Sequence, residues 1–99
     1  MKYRDLEKVR RIIDEATGLE VSYAFDDLVF PDYTAFIIRY DNEDEDHLYC
    51  HFHQDIDPVE MKKIQDKLEG SCRNNNSDLS LGQQFSLEQK GEKVDIHFY

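Results

Sequence analysis

Residues 47–60 have the sequence HLYCHFHQDIDPVE, in which a predicted strand leads directly into the start of a predicted helix. Apolar side chains alternate with histidine and tyrosine across residues 47–53, the period-two pattern of a half-buried strand. The motif Asp57-Pro58-Val59-Glu60 then supplies an N-cap aspartate, a proline at the first helical position and a glutamate that completes a capping box. The sequence therefore predicts a strand over 47–53 and a helix from Asp57 to about Arg73. We expect that helix to bury Val59, Met61, Ile64, Leu68 and Cys72.

The residues before this stretch predict one helix and two strands. Apolar residues recur every three or four positions from Tyr3 to Thr17, and Gly18 follows as a residue that can end the helix at positive φ. Alternation from Val21 to Phe25 predicts a first strand, and TAFIIRY at 34–40 predicts a second. Breaks at Asp26-Asp27 and Pro31-Asp32 separate the two strands.

The residues after the second helix predict a terminal hairpin. The strands lie near Gln83–Gln89 and Glu92–Tyr99, and Lys90-Gly91 joins them because glycine supplies the positive φ of a tight turn. The element order is then α-β-β-β-α-β-β. We expect an α+β fold, a two-layer sandwich whose mostly antiparallel five-stranded sheet carries both helices on one face.

This arrangement leaves the other sheet face open to solvent, as antiparallel sheets tolerate. The side chains expected on that open face are polar or aromatic for the most part: Ile37, His47, Tyr49, His51, His53, Asp95 and His97.

Composition limits the classes of protein to which the chain can belong. Its 99 residues suit a single domain over 1–99, and 26 of them are Leu, Ile, Val or Phe, enough for one core. No apolar run is long enough to span a membrane, and the charged N-terminus lacks the apolar region of a signal peptide. Cys50 and Cys72 fall in phase with apolar neighbours, which predicts inert buried thiols and a cytoplasmic protein.

The acidic residues are concentrated in one region. The formal net charge is −10, and residues 20–60 hold twelve acidic side chains against Arg39 alone. This charge argues against direct binding to nucleic acid or to an anionic membrane. One interpretation is a solvated, solubilising surface. The functional interpretation is a small non-enzymatic binding module, of inhibitor, immunity or adaptor type, whose acidic meander over 20–60 contacts a basic protein such as a nuclease.

The residues expected to bind that partner combine the acidic run before the third strand with two aromatic anchors: Asp41, Glu43, Asp44, Glu45, Asp46, Tyr49 and His51. We expect no catalytic residues and no cofactor, because neither a nucleophile elbow nor a phosphate-binding loop is present. The sequence therefore predicts a protein that is not an enzyme.

The histidines support an alternative function. His51 and His53 are spaced to share one face of a strand, close enough to hold one metal ion, with His47 or His97 as a further ligand. This alternative is a metal- or small-ligand-binding domain on the histidine face. A simpler explanation of the histidines is that they are polar aromatic side chains on a solvent-exposed sheet face.

The predicted element order resembles that of type III secretion chaperones, which are small, acidic and dimeric. Those proteins usually add a last helix, where this sequence predicts a strand. The resemblance implies a homodimer that binds an extended client segment or pairs through the open sheet face. Small acidic immunity and anti-defence proteins are similar to this chain in size and charge.

Overall fold

The computed structural model describes residues 6–25, 27–33, 35–44 and 46–99. It contains two helices and seven strands, which form an α+β fold as predicted. The elements in chain order are α1 (Leu6–Thr17), β1 (Val21–Phe25), β2 (Leu28–Pro31), β3 (Phe36–Tyr40), β4 (His47–Phe52), α2 (Pro58–Asn74), β5 (Asp78–Leu81), β6 (Phe85–Lys90) and β7 (Lys93–Phe98).

The helix α2 begins and ends near the predicted residues, and α1 ends at Thr17 as predicted. The predicted start of α1 at Tyr3 lies outside the described residues, and Gly18 follows the helix at φ 73°. Asp57 caps α2 by accepting a hydrogen bond from the Val59 amide. The predicted capping box is not formed among the described residues, since the Glu60 carboxylate accepts no hydrogen bond from the Asp57 amide and instead accepts one of 3.0 Å from the Tyr33 hydroxyl.

The first four strands form an antiparallel meander, and β5 joins it parallel to β4 after the α2 crossover. The predicted order α-β-β-β-α-β-β is therefore wrong by two strands, β2 and β5. Each has only four residues, and neither shows clear alternation. Pro31, predicted to occupy a turn, is buried at the end of β2.

The two helices pack on one face of this five-stranded sheet, as predicted. The core between the helices and the sheet is formed by apolar side chains of α1 and α2, by Val29 of β2 and by every second residue of β3 and β4: Val9, Ile12, Ile13, Ala16, Val29, Phe36, Ile38, Tyr40, Leu48, Cys50, Phe52, Leu68 and Cys72. The expected burial of Val59 is wrong, since 65% of this residue is exposed at the start of α2.

The last two strands form a separate antiparallel ribbon, β6–β7, instead of completing the main sheet. Gly91, at φ 64°, turns the ribbon as predicted. Phe85 of the ribbon packs against Phe30 and Ile37 on the sheet face opposite the helices, with Leu28, Leu87 and Ile96 around them. The ribbon therefore covers part of the face that was predicted to be open.

No helix among the described residues is both long enough and apolar enough to cross a membrane.

Candidate functional site

The strand topology gathers carboxylates at one end of the sheet. The Tyr40 amide donates a 2.9 Å hydrogen bond to the Asp27 carbonyl, which places the β1–β2 connection beside the end of β3. The Asp78 amide donates a 2.8 Å bond to the Asp46 carbonyl, which places the start of β5 beside the β3–β4 connection. We name the described acidic residues at this end of the sheet the acidic end: Asp27, Asp41, Glu43, Asp44, Asp46 and Asp78.

Some of these carboxylates hold the β3–β4 connection in shape. Asp41 and Asp44 each accept a 2.9 Å hydrogen bond from the amide two residues later, as short polar side chains do in turns. The other oxygen of Asp41 contacts Nδ1 of His47 at 2.7 Å. Asp46 forms a 3.0 Å ion pair with Lys8 of α1. Part of the predicted contact surface is thus engaged in local structure.

Glu43 and Asp44 are the exposed acidic residues of this connection that are not engaged with a cation. Within the part of the chain that the structure describes, no ion pair involves either of them. Glu45, which was predicted to lie beside them, is outside the described residues. Glu43 and Asp44 are therefore the residues of the acidic end best placed to meet a partner.

The two predicted aromatic anchors lie on β4 but are not equally accessible. Tyr49 is half-buried, with the Arg39 guanidinium 4.5 Å from its ring centroid and the His47 ring 4.6 Å away. His51 is only 1% exposed, so its predicted place on an open face is wrong. A buried imidazole cannot serve as a surface anchor while the ribbon stays in place.

Both ring nitrogens of the enclosed His51 have hydrogen-bond partners. The Nε–H group of Arg39 donates a 3.0 Å hydrogen bond to Nε2. Nε2 must then be unprotonated, and Nδ1 carries the proton that it donates to the Gln83 carbonyl at 2.8 Å. Burial, reinforced by the positive charge of Arg39, lowers the pKa of His51, whereas the Gln83 carbonyl and Asp27 act in the opposite direction.

Gly82 permits this enclosure. A Cβ atom at position 82 would lie 2.3 Å from Cε1 and 2.5 Å from Nδ1 of His51, far inside van der Waals contact. The Gly82 amide donates a 2.9 Å hydrogen bond to the Cys50 carbonyl, which fixes the chain against β4 at this point. Glycine is thus required here for a close approach and not for a turn.

An open groove of about 300 Å³ runs beside the enclosed histidine. It lies between the sheet and the ribbon and is lined by Asp27, Leu28, Arg39, His51, Gln83 and Phe98. The roles of Arg39, Gln83 and Gly82 were not predicted from the sequence. Arg39 carried a signal, since it is the only basic residue in 20–60 and shares its strand face with Ile37. Gln83 and Gly82 carried none, because their roles depend on where the ribbon folds back.

The structure does not bring the four histidines together. His47 contacts Asp41 and the Ser80 hydroxyl, each at 2.7 Å. His53 packs edge-on against Phe85 of the ribbon, with ring centroids 5.3 Å apart. His97 lies on the ribbon face opposite Ile96 and Phe98, and it contacts Glu88 at 3.2 Å.

Consequently, the predicted common face is only partly correct: His47, His51 and His53 alternate with the core residues of β4 and share its helix-free face, but His97 lies on the ribbon and does not join them. No group of three His, Cys, Asp or Glu side chains among the described residues is arranged to hold a metal ion. Ligation through Nε2 of His51 would require loss of its hydrogen bond from Arg39.

The two thiols are free and buried, as predicted. Burial raises the pKa of Cys72 to about 11, and it raises the pKa of Cys50 further still. Both side chains therefore remain protonated at neutral pH, in the unreactive form of cysteine.

The chain matches no family model, no curated protein and no solved structure. The nine elements also depart from the seven-element order on which the resemblance to type III secretion chaperones rests.

Proposed function

We propose that the protein is a small non-enzymatic binding module whose acidic end contacts a basic protein. The observation that carries this proposal is the pair of backbone hydrogen bonds from Tyr40 to Asp27 and from Asp78 to Asp46. These bonds draw three separate acidic segments to one end of the sheet. The carboxylates of these segments then contribute to one negative field, because the Debye length is about 8 Å at physiological ionic strength.

Glu43 and Asp44 are the proposed centre of the contact. They are exposed, and the Asp41 and Asp44 side chains hold the connection that presents them. A preformed loop binds with a smaller loss of conformational entropy than a flexible one. Long-range attraction to the acidic end would set the association rate, and occlusion of the partner's basic surface would be the effect. A nucleic-acid-binding protein has the positively charged surface that this contact requires.

Cytoplasmic action is part of the proposal, since two buried free thiols suit a reducing compartment. The homodimer alternative needs an apolar sheet face, and the ribbon occupies the region of Phe30 and Ile37 on that face. The metal alternative needs His51, which already has two partners. Both alternatives are therefore less well supported than the binding of a basic partner at the acidic end.

The test is affinity capture from host lysate on three immobilised proteins. They are the wild type, the double variant Glu43→Gln/Asp44→Asn and the matched control Asp14→Asn/Glu92→Gln, whose charges lie elsewhere on the exposed surface. Both variants change the net charge equally, so a difference between them reports position. Each column is washed in rising salt, with and without EDTA.

We expect a basic protein that the wild type and the control retain until moderate salt, and that Glu43→Gln/Asp44→Asn retains weakly. EDTA should have no effect. Equal retention by the two variants would contradict the proposal, and loss of binding in EDTA would favour the metal alternative.

A further inference from the structure

The ribbon is attached to the sheet in an unusual way. In the part of the chain that the structure describes, its strands form no ladder with a strand of the main sheet. They join it through an isolated parallel bridge between His53 and Phe85 and a 2.9 Å hydrogen bond from the Gln54 amide to the Phe85 carbonyl. The remaining contacts are side-chain contacts, chiefly Phe85 with Phe30 and Ile37. The ribbon is therefore a unit that can separate from the sheet without breaking the sheet's own hydrogen bonds.

His51 lies at the junction between the two units. Its imidazole is held by Arg39 of β3 on one side and by the Gln83 carbonyl, just before the ribbon, on the other. The Phe98 ring of β7 packs edge-on against it, with centroids 4.8 Å apart. A change in the charge of this ring therefore acts on the sheet, on the segment that leads into β6 and on β7.

The folded arrangement accepts only the neutral imidazole. A proton on Nε2 would remove the acceptor for the Arg39 Nε–H group and place two cationic groups 3.0 Å apart. The ring cannot move aside toward residue 82, because Gly82 already lies against it. Opening of the junction, which lets water reach the imidazolium, relieves this repulsion.

The other groups around His51 do not cancel this effect. Asp27, from the connection before β2, lines the same groove and favours the imidazolium. The neighbours of His51 on the same face are Tyr49 of β4 and His53, which directly follows β4 and packs against Phe85. Ribbon-side groups at the junction, Gln83 and Phe98, carry no charge.

We infer that protonation of His51 releases the β6–β7 ribbon from the sheet and exposes the apolar surface around Phe30, Ile37 and Phe85. This is a pH-sensitive switch in the fold, separate from partner binding at the acidic end.

The direction of the pH dependence follows from proton linkage. The pKa of His51 in the closed form is lower than its ordinary value of 6.5, so the open form binds more protons below about pH 6.5. Above that pH, the contribution of neutral His51 to the stability of the closed form is at its maximum. As pH falls from 6.5 toward the pKa of the closed form, the ribbon-opening equilibrium shifts toward the open form by up to about tenfold per pH unit.

Hydrogen exchange measured by mass spectrometry between pH 7.5 and 5.0 tests the inference, after correction for the intrinsic pH dependence of exchange. Protection of residues 85–98 should fall below pH 6.5, while protection of residues 9–13 and 36–40 in the main core stays constant. His51→Gln should abolish the pH dependence of the ribbon, and His53→Gln should retain it. Ribbon protection that does not change with pH, or that changes equally in His51→Gln, would overturn the switch.

A second measurement covers the case in which His51→Gln does not fold. The Cε1 proton of His51 in the wild type is followed by NMR together with the ribbon amides. Loss of ribbon protection must coincide with titration of His51. A His51 that titrates while the ribbon signals stay unchanged would also overturn the inference.

Discussion

The Nε–H group of Arg39 donates a hydrogen bond to Nε2 of His51, which joins β3 and β4, the last two strands of the meander, across their helix-free face. The same guanidinium lies over the Tyr49 ring, so Arg39 is held from two sides. Arg39 is the single basic residue in a region of twelve acidic ones, and it is used inside the fold. The one basic residue of 20–60 therefore does not neutralise the carboxylates of the acidic end.

Replacing Arg39 by alanine should destabilise the protein. The buried Nε2 atom of His51 would lose its donor, which costs about 1–3 kcal/mol of the free energy of unfolding. Urea unfolding at pH 7.5 measures this loss. Arg10→Ala is the control, since Arg10 is exposed and its pair with Glu7 lies on the surface. Equal stability of the two variants would show that the Arg39–His51 bond contributes nothing.

Gly82→Ala should also destabilise the protein, because its new methyl group would collide with the His51 ring. The expected cost is about 1–3 kcal/mol, as for other over-packed sites. Gly70→Ala is the matched control within α2, where a Cβ atom meets nothing within 4 Å. That variant should gain about 0.5–1 kcal/mol from helix propensity. Urea unfolding of both variants checks the pair, and a stabilised Gly82→Ala protein would contradict the close approach.

Cys50 and Cys72 should not react with a thiol reagent such as dithionitrobenzoate in the folded protein. Both are buried and their pKa values are raised, so little thiolate forms at pH 8. Absorbance should report no thiols under native conditions and two after addition of guanidinium chloride. Rapid native reaction of either residue would show that the core of this protein opens readily.

The Glu43→Gln/Asp44→Asn variant should melt at a higher temperature than the wild type at low ionic strength. Neutralisation relieves repulsion within the acidic end, and the difference should shrink in salt because salt screens exposed charges. Asp14→Asn/Glu92→Gln, with the same net charge, should gain less. Thermal unfolding followed by circular dichroism distinguishes them, and equal gains would mean that only the total charge matters.

The sequence was sufficient to predict the parts of the fold that depend on local patterns. Apolar spacing and the Asp57-Pro58 cap predicted both helices, and alternation predicted β4 and the burial of Cys50 beneath the helices. The strands β2 and β5 were missed because four residues are too few to establish a period. β5 is also specified by its pairing with β4, which no local pattern of β5 encodes.

The candidate site was predictable only in part, because burial of a strand face depends on what packs against it. Alternation placed His51 correctly on the face opposite Cys50, but it could not show that the ribbon covers this face. Asp78 was missed as part of the acidic end, since it lies outside 20–60 and reaches Asp46 only through the α2 crossover. Both the burial of His51 and the position of Asp78 therefore depend on contacts between segments that are distant in the sequence.

The most direct test of the acidic end is the association rate constant of the captured basic partner, measured at increasing ionic strength. The wild type and Asp14→Asn/Glu92→Gln should show a fast rate that falls steeply as salt is added, while their dissociation rates change little. Glu43→Gln/Asp44→Asn should associate more slowly and with a shallower salt dependence. Identical salt dependences for the two variants would contradict recognition through the acidic end.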